Sequence, residues 1–439
     1  MRLLYLTAGA AEMYCGTCLR DNALAAALLR RGHDVVLAPV YTPTTTDEPN
    51  VSASKVLFGG VSVFLEQHVP LFRHTPAFLD RLWDSAPALK LASKRQIKVD
   101  PAVLGEMTVS MLKGVAGFQK KEIGKMLAWL AHEPAFHAVN LPFTLLISLA
   151  TPLREALGIP IACTMAGEEL FLENLHEPWK SESLALIRKG VKDVDVFIAV
   201  SDYCARFMSE YLAIPRDRIR VVRLGVTLDG HDAPPARTSP PYTVGFFARV
   251  APEKGLHVLA DAYRRLVSRA GVPPTRLLAA GYMLDEHRDY FRAIETQLAA
   301  WGLADRFRYA GAPDRAGKLA LLREMDVMSV PATYDEPKGL TLLESMASGR
   351  PVVVPDRGAF GELVSRAGGG VLVTPDDPEA LADGLFGLLT DRPRALALGR
   401  AGADSVRRQF GVEMVARQAE KVFGEMVNGG TRERVNGRC

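Results

Sequence analysis

The chain has 439 residues, 48% hydrophobic and 23% charged, with a formal net charge of +3. That length exceeds one ordinary core and favours two domains of roughly 200 residues each. The composition is that of a soluble globular protein, and so small a net charge argues against a dedicated nucleic-acid binder. No apolar run reaches the ~18 residues needed to cross a bilayer. The N-terminal MRLLYLTAGAAEMYCG has one Arg and a very short apolar segment, which reads as a first core strand rather than a signal peptide. A cytoplasmic location is expected.

Arg2 to Thr7 (RLLYLT) is a buried-strand run, followed by a small-residue loop from Ala8 to Gly16. Helical spacing through Leu19, Leu24, Leu28 and Leu29 stops at Gly32, and His33 to Tyr41 is the next strand. Strand, loop, helix, strand within about 40 residues is the βαβ unit of a parallel sheet. Its first loop lacks G-x-G-x-x-G, and no acidic residue ends the second strand, so a nicotinamide or flavin site is weakly supported. Five cysteines are an odd and sparse set, against a disulfide framework. Cys15 and Cys18 form CGTC, a spacing found in redox pairs and half zinc sites, but no second pair or nearby His completes a metal set. The simpler reading makes them small loop-lining residues.

Residues 71 to 135 are mostly helical in pattern, with Lys90, Lys94, Arg95, Lys98, Lys113, Lys120, Lys121 and Lys125 interleaved with apolar residues. Such a basic amphipathic region can rest on an anionic membrane, although a solvated helix face is the commoner use of the pattern. Strands resume at Ala138 to Leu141 and at Ile159 to Met165, and Gly167, Glu168 and Glu169 follow at the carboxyl end where open α/β sheets place ligands. Asp195 to Ser201 is a further strand, Asp202 to Tyr211 a helix, and Arg218 to Val226 closes the half. Leu228 to Pro241 contains four prolines and is the clearest linker.

The pattern then restarts. Tyr242 to Val250, Arg276 to Gly281, Phe307 to Gly311, Asp326 to Pro331, Pro351 to Pro355 and Gly370 to Val373 are strands with helices between, a second doubly wound parallel sheet. A last helix covers about Val412 to Val427, and the polar Asn428 to Cys439 reads as a disordered tail.

Thr333 to Arg350 (TYDEPKGLTLLESMASGR) carries Glu336 in a loop and Glu344 about one turn into a helix, with Gly339, Leu340 and Thr341 between them. The unpaired amides of that helix start can hold an anion or a sugar oxygen. Two carboxylates beside an anion pocket suit a nucleotide sugar, whereas Glu344 alone could be a dipole-favoured or capping residue. Arg249 and Lys254 flank the loop of FFARVAPEKG; Arg can clamp a phosphate with paired donors and Lys adds a point charge, so the two suit a diphosphate. Glu253 also allows a plain surface ion pair.

With FFARVAPEKG, the Glu-x7-Glu segment EPKGLTLLE, SGRPVVVPDRGAFGELV and VTPDDPEALADGL in place, the chain resembles the family 4 glycosyltransferases of GT-B fold, which are retaining and use nucleotide-activated sugars. The resemblance runs over almost the whole chain. It implies an α/β fold of two Rossmann-like, doubly wound parallel-sheet domains facing across a cleft that holds the active site. Residues 1–228 would form the acceptor-side domain, 229–241 the linker, 242–408 the nucleotide-sugar domain, and 409–427 a helix crossing back to the first. It further implies that Arg249 and Lys254 hold the donor diphosphate, that Glu336 lies at the donor sugar and Glu344 at the ribose, and that the amides of Gly339, Leu340 and Thr341 meet sugar or phosphate. Pro337 and Lys338 stand where the family commonly has Gly and Phe. Ala166 falls where many members carry a His, which leaves Glu168 as the substitute from the first domain. The first loop, Tyr14 to Asn22, is not the family's glycine-rich wording, although Gly16 allows backbone to approach a phosphate.

The expected activity is transfer of a sugar from a nucleoside diphosphate sugar to a hydroxyl acceptor with retention, without a metal or other cofactor. A nucleotide-sugar epimerase of the same fold and a non-catalytic nucleotide-sugar-binding or scaffold protein are the alternatives. The basic region 88–126 is the part expected to touch a membrane.

Overall fold

The computed structural model describes residues 1–9, 15–68, 72, 101–165, 167–232 and 239–436. The chain divides into two units, Met1–Arg223 with Ala416–Cys439, and Leu224–Val415.

The first unit holds a parallel sheet of β1 (Arg2–Thr7), β2 (Asp34–Pro39), β3 (Ala138–Leu141), β4 (Ile161–Met165), β5 (Val196–Ala199) and β6 (Ile219–Val221), in the order β2-β1-β3-β4-β5-β6. Helices cover both faces of such a sheet, so its strands carry mostly apolar runs. Leu3, Leu4, Val139 and Ile161 are all buried, and Leu3 stands opposite Val35 on one side and Ala138 on the other. The chain leaves β1 for β2 and returns to β1's other edge with β3, so the strand order reverses there. Helix Gly16–Arg30 makes the first crossover and buries Ala23, Leu24, Ala27 and Leu28.

Helix Val412–Asn436 has its later part in this unit. Phe423 packs edge-on against Tyr5, ring centroids 6.4 Å apart, and Glu420 pairs with Arg31. The sequence reading stops this helix near Val427, but the helix runs on through Asn436, because Asn428 to Asn436 includes no proline and helical geometry tolerates the glycines at 429 and 430 once the preceding turns are packed.

In the basic region, helices Pro101–Leu112 and Lys120–Leu130 match the expected helical pattern. Lys113 pairs with Glu182 at 2.9 Å and Lys125 with Glu122 at 2.6 Å, while Lys120 is exposed. Lys90, Lys94, Arg95 and Lys98 lie outside the described residues. Among the described residues no helix is long and apolar enough to cross a membrane.

The second unit holds β7 (Tyr242–Phe247), β8 (Thr275–Ala280), β9 (Phe307–Tyr309), β10 (Val327–Met328), β11 (Val352–Pro355) and β12 (Gly370–Val373), all parallel, in the order β12-β11-β10-β7-β8-β9. All six expected strands form, each close to its predicted place. β10 is the shortest: Ser329 still donates to the Gly245 carbonyl at 2.8 Å, but Pro331 has no N–H to continue the ladder. β7 lies between β8 and β10, so this sheet reverses its order between β7 and β10. In doubly wound sheets ligands bind outside the carboxyl ends of the strands at such a point.

Because Phe423 is fully buried against the first strand of the sheet, Phe423→Ala is expected to cost roughly 3–5 kcal/mol of unfolding free energy in chemical denaturation. An unchanged midpoint would mean that the last helix does not carry the stability of the first unit.

Candidate active site

The two loops that leave β7 and β10 meet. After β7 the chain makes a 3-10 turn over Pro252–Lys254, and Gly255 then opens helix Leu256–Val267. After β10 it runs through Tyr334 and Glu336 to Gly339, which opens helix Leu340–Ala347. Thr333 N–H donates to the Glu253 carbonyl at 3.0 Å and ties the loops together. Lys254 Nζ donates to Tyr334 Oη at 2.6 Å and ion-pairs with Glu336, its ammonium 4.7 Å from the Tyr334 ring centroid. The Tyr334 hydroxyl donates to the same carboxylate oxygen of Glu336. Lys338 N–H donates to the other, Oε1, at 3.2 Å.

Glu336 is 7% exposed. Burial by itself pushes its carboxyl up, but the Lys254 ammonium, the Lys338 charge and the hydrogen bonds from Lys254 and Tyr334 outweigh burial and lower it to about 2. Glu336 is therefore an ionised acceptor at neutral pH and has no proton to give. Lys254 has three N–H donors, of which two are committed to Tyr334 and Glu336, leaving one for a ligand. Arg249 pairs with Glu253 across an exposed i,i+4 contact, its side chain 44% exposed. Surface pairs of this kind are worth little, so the guanidinium can exchange its partner for a phosphate.

Two glycines shape this site. Gly339 has φ +78°, and a Cβ there would stand 2.4 Å from Leu363 Cδ1. A residue without a side chain lets the helix start in the left-handed conformation, and the N–H groups of Leu340 and Thr341 then lack intrahelical partners. Gly358, φ +56°, lies against the Glu336 backbone, where a Cβ would come within 2.5 Å of the carbonyl oxygen, and Ala359 N–H donates to that carbonyl at 2.8 Å. The turn after β11 thus fixes the main chain that carries Glu336.

Glu344 is buried one turn into its helix. Lys318, on helix Arg315–Glu324 and itself buried, donates to Glu344 Oε1 at 2.6 Å, while Oε2 has no hydrogen bond to a described residue. Neither Lys318 nor Tyr334 stands out as a site residue in the sequence. Tyr334 is a loop aromatic two positions before Glu336. Lys318 has one signal, its place on the face of its helix that also buries Leu321 and Leu322, where a lysine requires a partner.

Glu168 and Gly16 belong to the first unit. Glu168 follows β4, is buried, and its Oε1 accepts from the Thr144 N–H at 3.2 Å and hydroxyl at 3.0 Å. Gly16 is the first residue of helix Gly16–Arg30, exposed and with open space where a Cβ would stand. Ala166 lies outside the described residues. The structure thus joins Lys254 to Glu336 directly, holds Arg249 and Glu344 through other partners, and carries Glu168 and Gly16 in the other unit.

Residues 231–405 match the family model for glycosyl transferases group 1, and residues 116–229 that for glycosyltransferase family 4. The chain is 34% identical over 247 residues to the phosphatidyl-myo-inositol mannosyltransferase of Mycobacterium leprae, a match covering 54% of this chain and 61% of that protein. The chain therefore spans only about three fifths of that relative's length. It is 30% identical to the lipopolysaccharide core biosynthesis mannosyltransferase LpsB of Rhizobium meliloti, covering 57% of this chain and 70% of the relative. The crystal structure of Anabaena HepE in complex with UDP and glucose superposes with a TM-score of 0.66 over 97% of this chain and all of that one, at 18% identity, a likeness of fold. The Glu-x7-Glu segment, the loop after β7 and the two reversing parallel sheets thus occur in a chain that belongs to the family 4 glycosyltransferases of GT-B fold.

Proposed function

We propose that the protein is a retaining glycosyltransferase that moves a sugar from a nucleoside diphosphate sugar to a hydroxyl acceptor. The observation that carries this reading is the ionised, buried Glu336 carboxylate held between Lys254 and Tyr334 beside an open helix N-terminus. A carboxylate that only accepts hydrogen bonds suits sugar hydroxyls, and the adjoining cations and amides suit a diphosphate. In this reading Arg249, the third donor of Lys254 and the Leu340 and Thr341 amides bind the diphosphate, Glu336 orients the sugar, and Glu344 presents Oε2 to the ribose.

The acceptor oxygen attacks the anomeric carbon on the face from which the diphosphate leaves. The carbon–oxygen bond to phosphate breaks as the new glycosidic bond forms, and the acceptor proton passes to the departing phosphate oxygen. Preorganised Arg249, Lys254 and helix amides stabilise the charge developing there, commonly the largest electrostatic contribution to catalysis. Two cations and a helix terminus suffice for this, so transfer is proposed to need no metal. Glu168 is the contact proposed from the first unit, and Gly16 a further backbone approach to phosphate.

Two relatives bear the names of mannosyltransferases, one acting on phosphatidyl-myo-inositol and one in lipopolysaccharide core biosynthesis, which favours a lipid-linked or glycan acceptor. Such an acceptor would suit a protein that rests on an anionic membrane. Support comes from the exposed Lys120 and from Val115 and Phe118, which are 52% and 41% exposed between helices Pro101–Leu112 and Lys120–Leu130. Flotation with anionic vesicles is expected to carry the full chain, and Val115→Glu with Phe118→Glu to reduce the bound fraction several-fold; equal flotation of both would remove the membrane from the proposal.

Calorimetry against UDP, GDP, ADP and their glucose and mannose conjugates is expected to find one preferred nucleotide, bound equally with magnesium and with chelator. Arg249→Ala and Lys254→Ala should each weaken it tenfold or more, as expected for a lost charge-assisted phosphate contact. Lys318→Met should narrow the preference for ribose over 2′-deoxyribose in the same nucleotide. A chain that binds none of these ligands has the fold without the proposed donor.

Glu336→Gln is expected to lower kcat/KM by roughly 10²–10³-fold while circular dichroism stays native. Because the folded carboxyl lies near 2 and an unfolded one near 4.5, the native pair adds stability that is complete above pH 4.5 and lost as pH falls toward 2. Acid titration of unfolding should therefore show a steeper loss between those values in the native chain than in Glu336→Gln. Full transfer by Glu336→Gln would take Glu336 out of the mechanism.

A further inference from the structure

We propose that the stretch from Thr227 to His231 is a working part of the donor site, in which Arg315, Arg323 and His231 are positioning residues that set Glu344 through two helices. Its effect on ribose recognition rests on the donor-site reading above, whereas the coupling between this stretch and Glu344 does not.

The expected linker begins at Leu228, yet its first residues are fastened along their length. Arg315, Leu319 and Arg323 recur at four-residue spacing and so share one face of helix Arg315–Glu324. Arg315 Nη2 donates to the Thr227 carbonyl at 3.2 Å and to the Asp229 carbonyl at 2.7 Å. Arg323 donates to the Gly230 carbonyl at 2.8 Å. Gly230 has φ +82°, and a Cβ there would stand 2.6 Å from Leu319 Cδ1, so a glycine lets the chain lie this close to the helix. His231 N–H donates to the Leu228 carbonyl at 3.0 Å, and Arg407 donates to the His231 carbonyl, also at 3.0 Å. Every carbonyl from Thr227 to His231 therefore accepts a hydrogen bond, most of them from charged donors, which are the stronger kind.

The same stretch is tied to the end of the Glu-x7-Glu helix, Leu340–Ala347. His231 and Ser348 are both buried, with Nδ1 and Oγ 2.9 Å apart. The Arg407 guanidinium that holds His231 also donates to the Ala347 carbonyl at 3.5 Å. Ser348 lies one turn beyond Glu344, and its N–H donates to the Glu344 carbonyl at 3.2 Å.

A third tie joins the two helices to each other. Lys318, one turn beyond Arg315, donates to Glu344 Oε1 at 2.6 Å, and Arg350 donates to the Arg323 carbonyl at 3.2 Å. Linker and helices thus form a closed frame, all of it inside the second unit. Close-packed elements do not deform one at a time. A linker that shifts changes the separation of the helices, and the buried Lys318–Glu344 pair depends on that separation. By linkage, a nucleotide held through Glu344 must steady the linker by the factor by which the linker strengthens the nucleotide's binding.

Hydrogen exchange of the ligand-free full chain tests the frame. Arg315→Ala, a half-exposed change, is expected to quicken exchange about fivefold across 340–348 as well as 224–232, and Lys318→Met to do so across 224–232. Arg315→Lys should restore the native pattern, because a single nitrogen makes both Arg315 contacts. Calorimetry against UDP, GDP, ADP and their 2′-deoxy forms, with inorganic pyrophosphate as the probe that lacks a ribose, then reads the site. Arg315→Ala should narrow the ribose preference about fivefold and leave pyrophosphate affinity unchanged, a split that a general loss of stability would not give. Exchange that quickens only beside each substituted residue overturns the coupling, whatever the chain binds. If Lys318→Met does not fold, the Arg315→Ala chain decides by itself. Coupled exchange with a native ribose preference keeps the frame and removes the ribose from Glu344.

Discussion

A carboxylate taken out of water needs a counter-charge close by, and the second unit is arranged around one that has it. Glu336 is buried yet ionised because Lys254 and Tyr334 converge on one of its oxygens and a backbone amide on the other. Breaking such a pair leaves an uncompensated charge in the interior, commonly a penalty of several kcal/mol. The loops after β7 and β10 are therefore not independent: each carries half of a charge pair that neither could bury alone. Gly358 and Ala359 hold the Glu336 backbone from a third loop, so three strand ends are tied to one residue.

The same logic recurs at Glu344. Its partner Lys318 is as deeply buried as the carboxylate, and the pair engages only one of the two carboxylate oxygens. A buried carboxylate with one oxygen clamped is oriented, and the other oxygen can be aimed. The two glutamates of the Glu-x7-Glu segment thus share a design, with a lysine from a different element fixing each. Their spacing places one before and one after the same helix start, so the open amides of Leu340 and Thr341 lie between two oriented anions.

In the first unit one set of buried polar side chains lies near the corresponding reversal of strand order, beside β1 and β3. Thr144 after β3 and Glu168 after β4 bind one another, and the buried Arg20–Asp21 pair lies beneath the Cys15–Cys18 turn. Sheets of this type leave a crevice where crossovers diverge, and polar side chains collect there because backbone and helix ends already require partners.

Local pattern was enough to find the twelve strands and most crossovers and to single out Glu336, Glu344, Arg249 and Lys254 as candidates. Apolar runs buried on both faces and glycine stops are local features, and they are read correctly wherever burial follows from neighbours in sequence. The last helix was underestimated because the polar composition of Asn428 to Asn436 hides a continuation that rests on packing further back, at Tyr5 and Arg31. The partners were not legible: Lys318 is 26 positions from Glu344 and Lys254 is 82 from Glu336. Glu336 as a candidate residue was legible in the sequence, whereas the partners that hold its carboxyl pKa down were not. Whether a buried acid keeps its charge depends on which cations and hydroxyls the fold brings within hydrogen-bond distance, and that is decided only when β7 and β10 pair side by side.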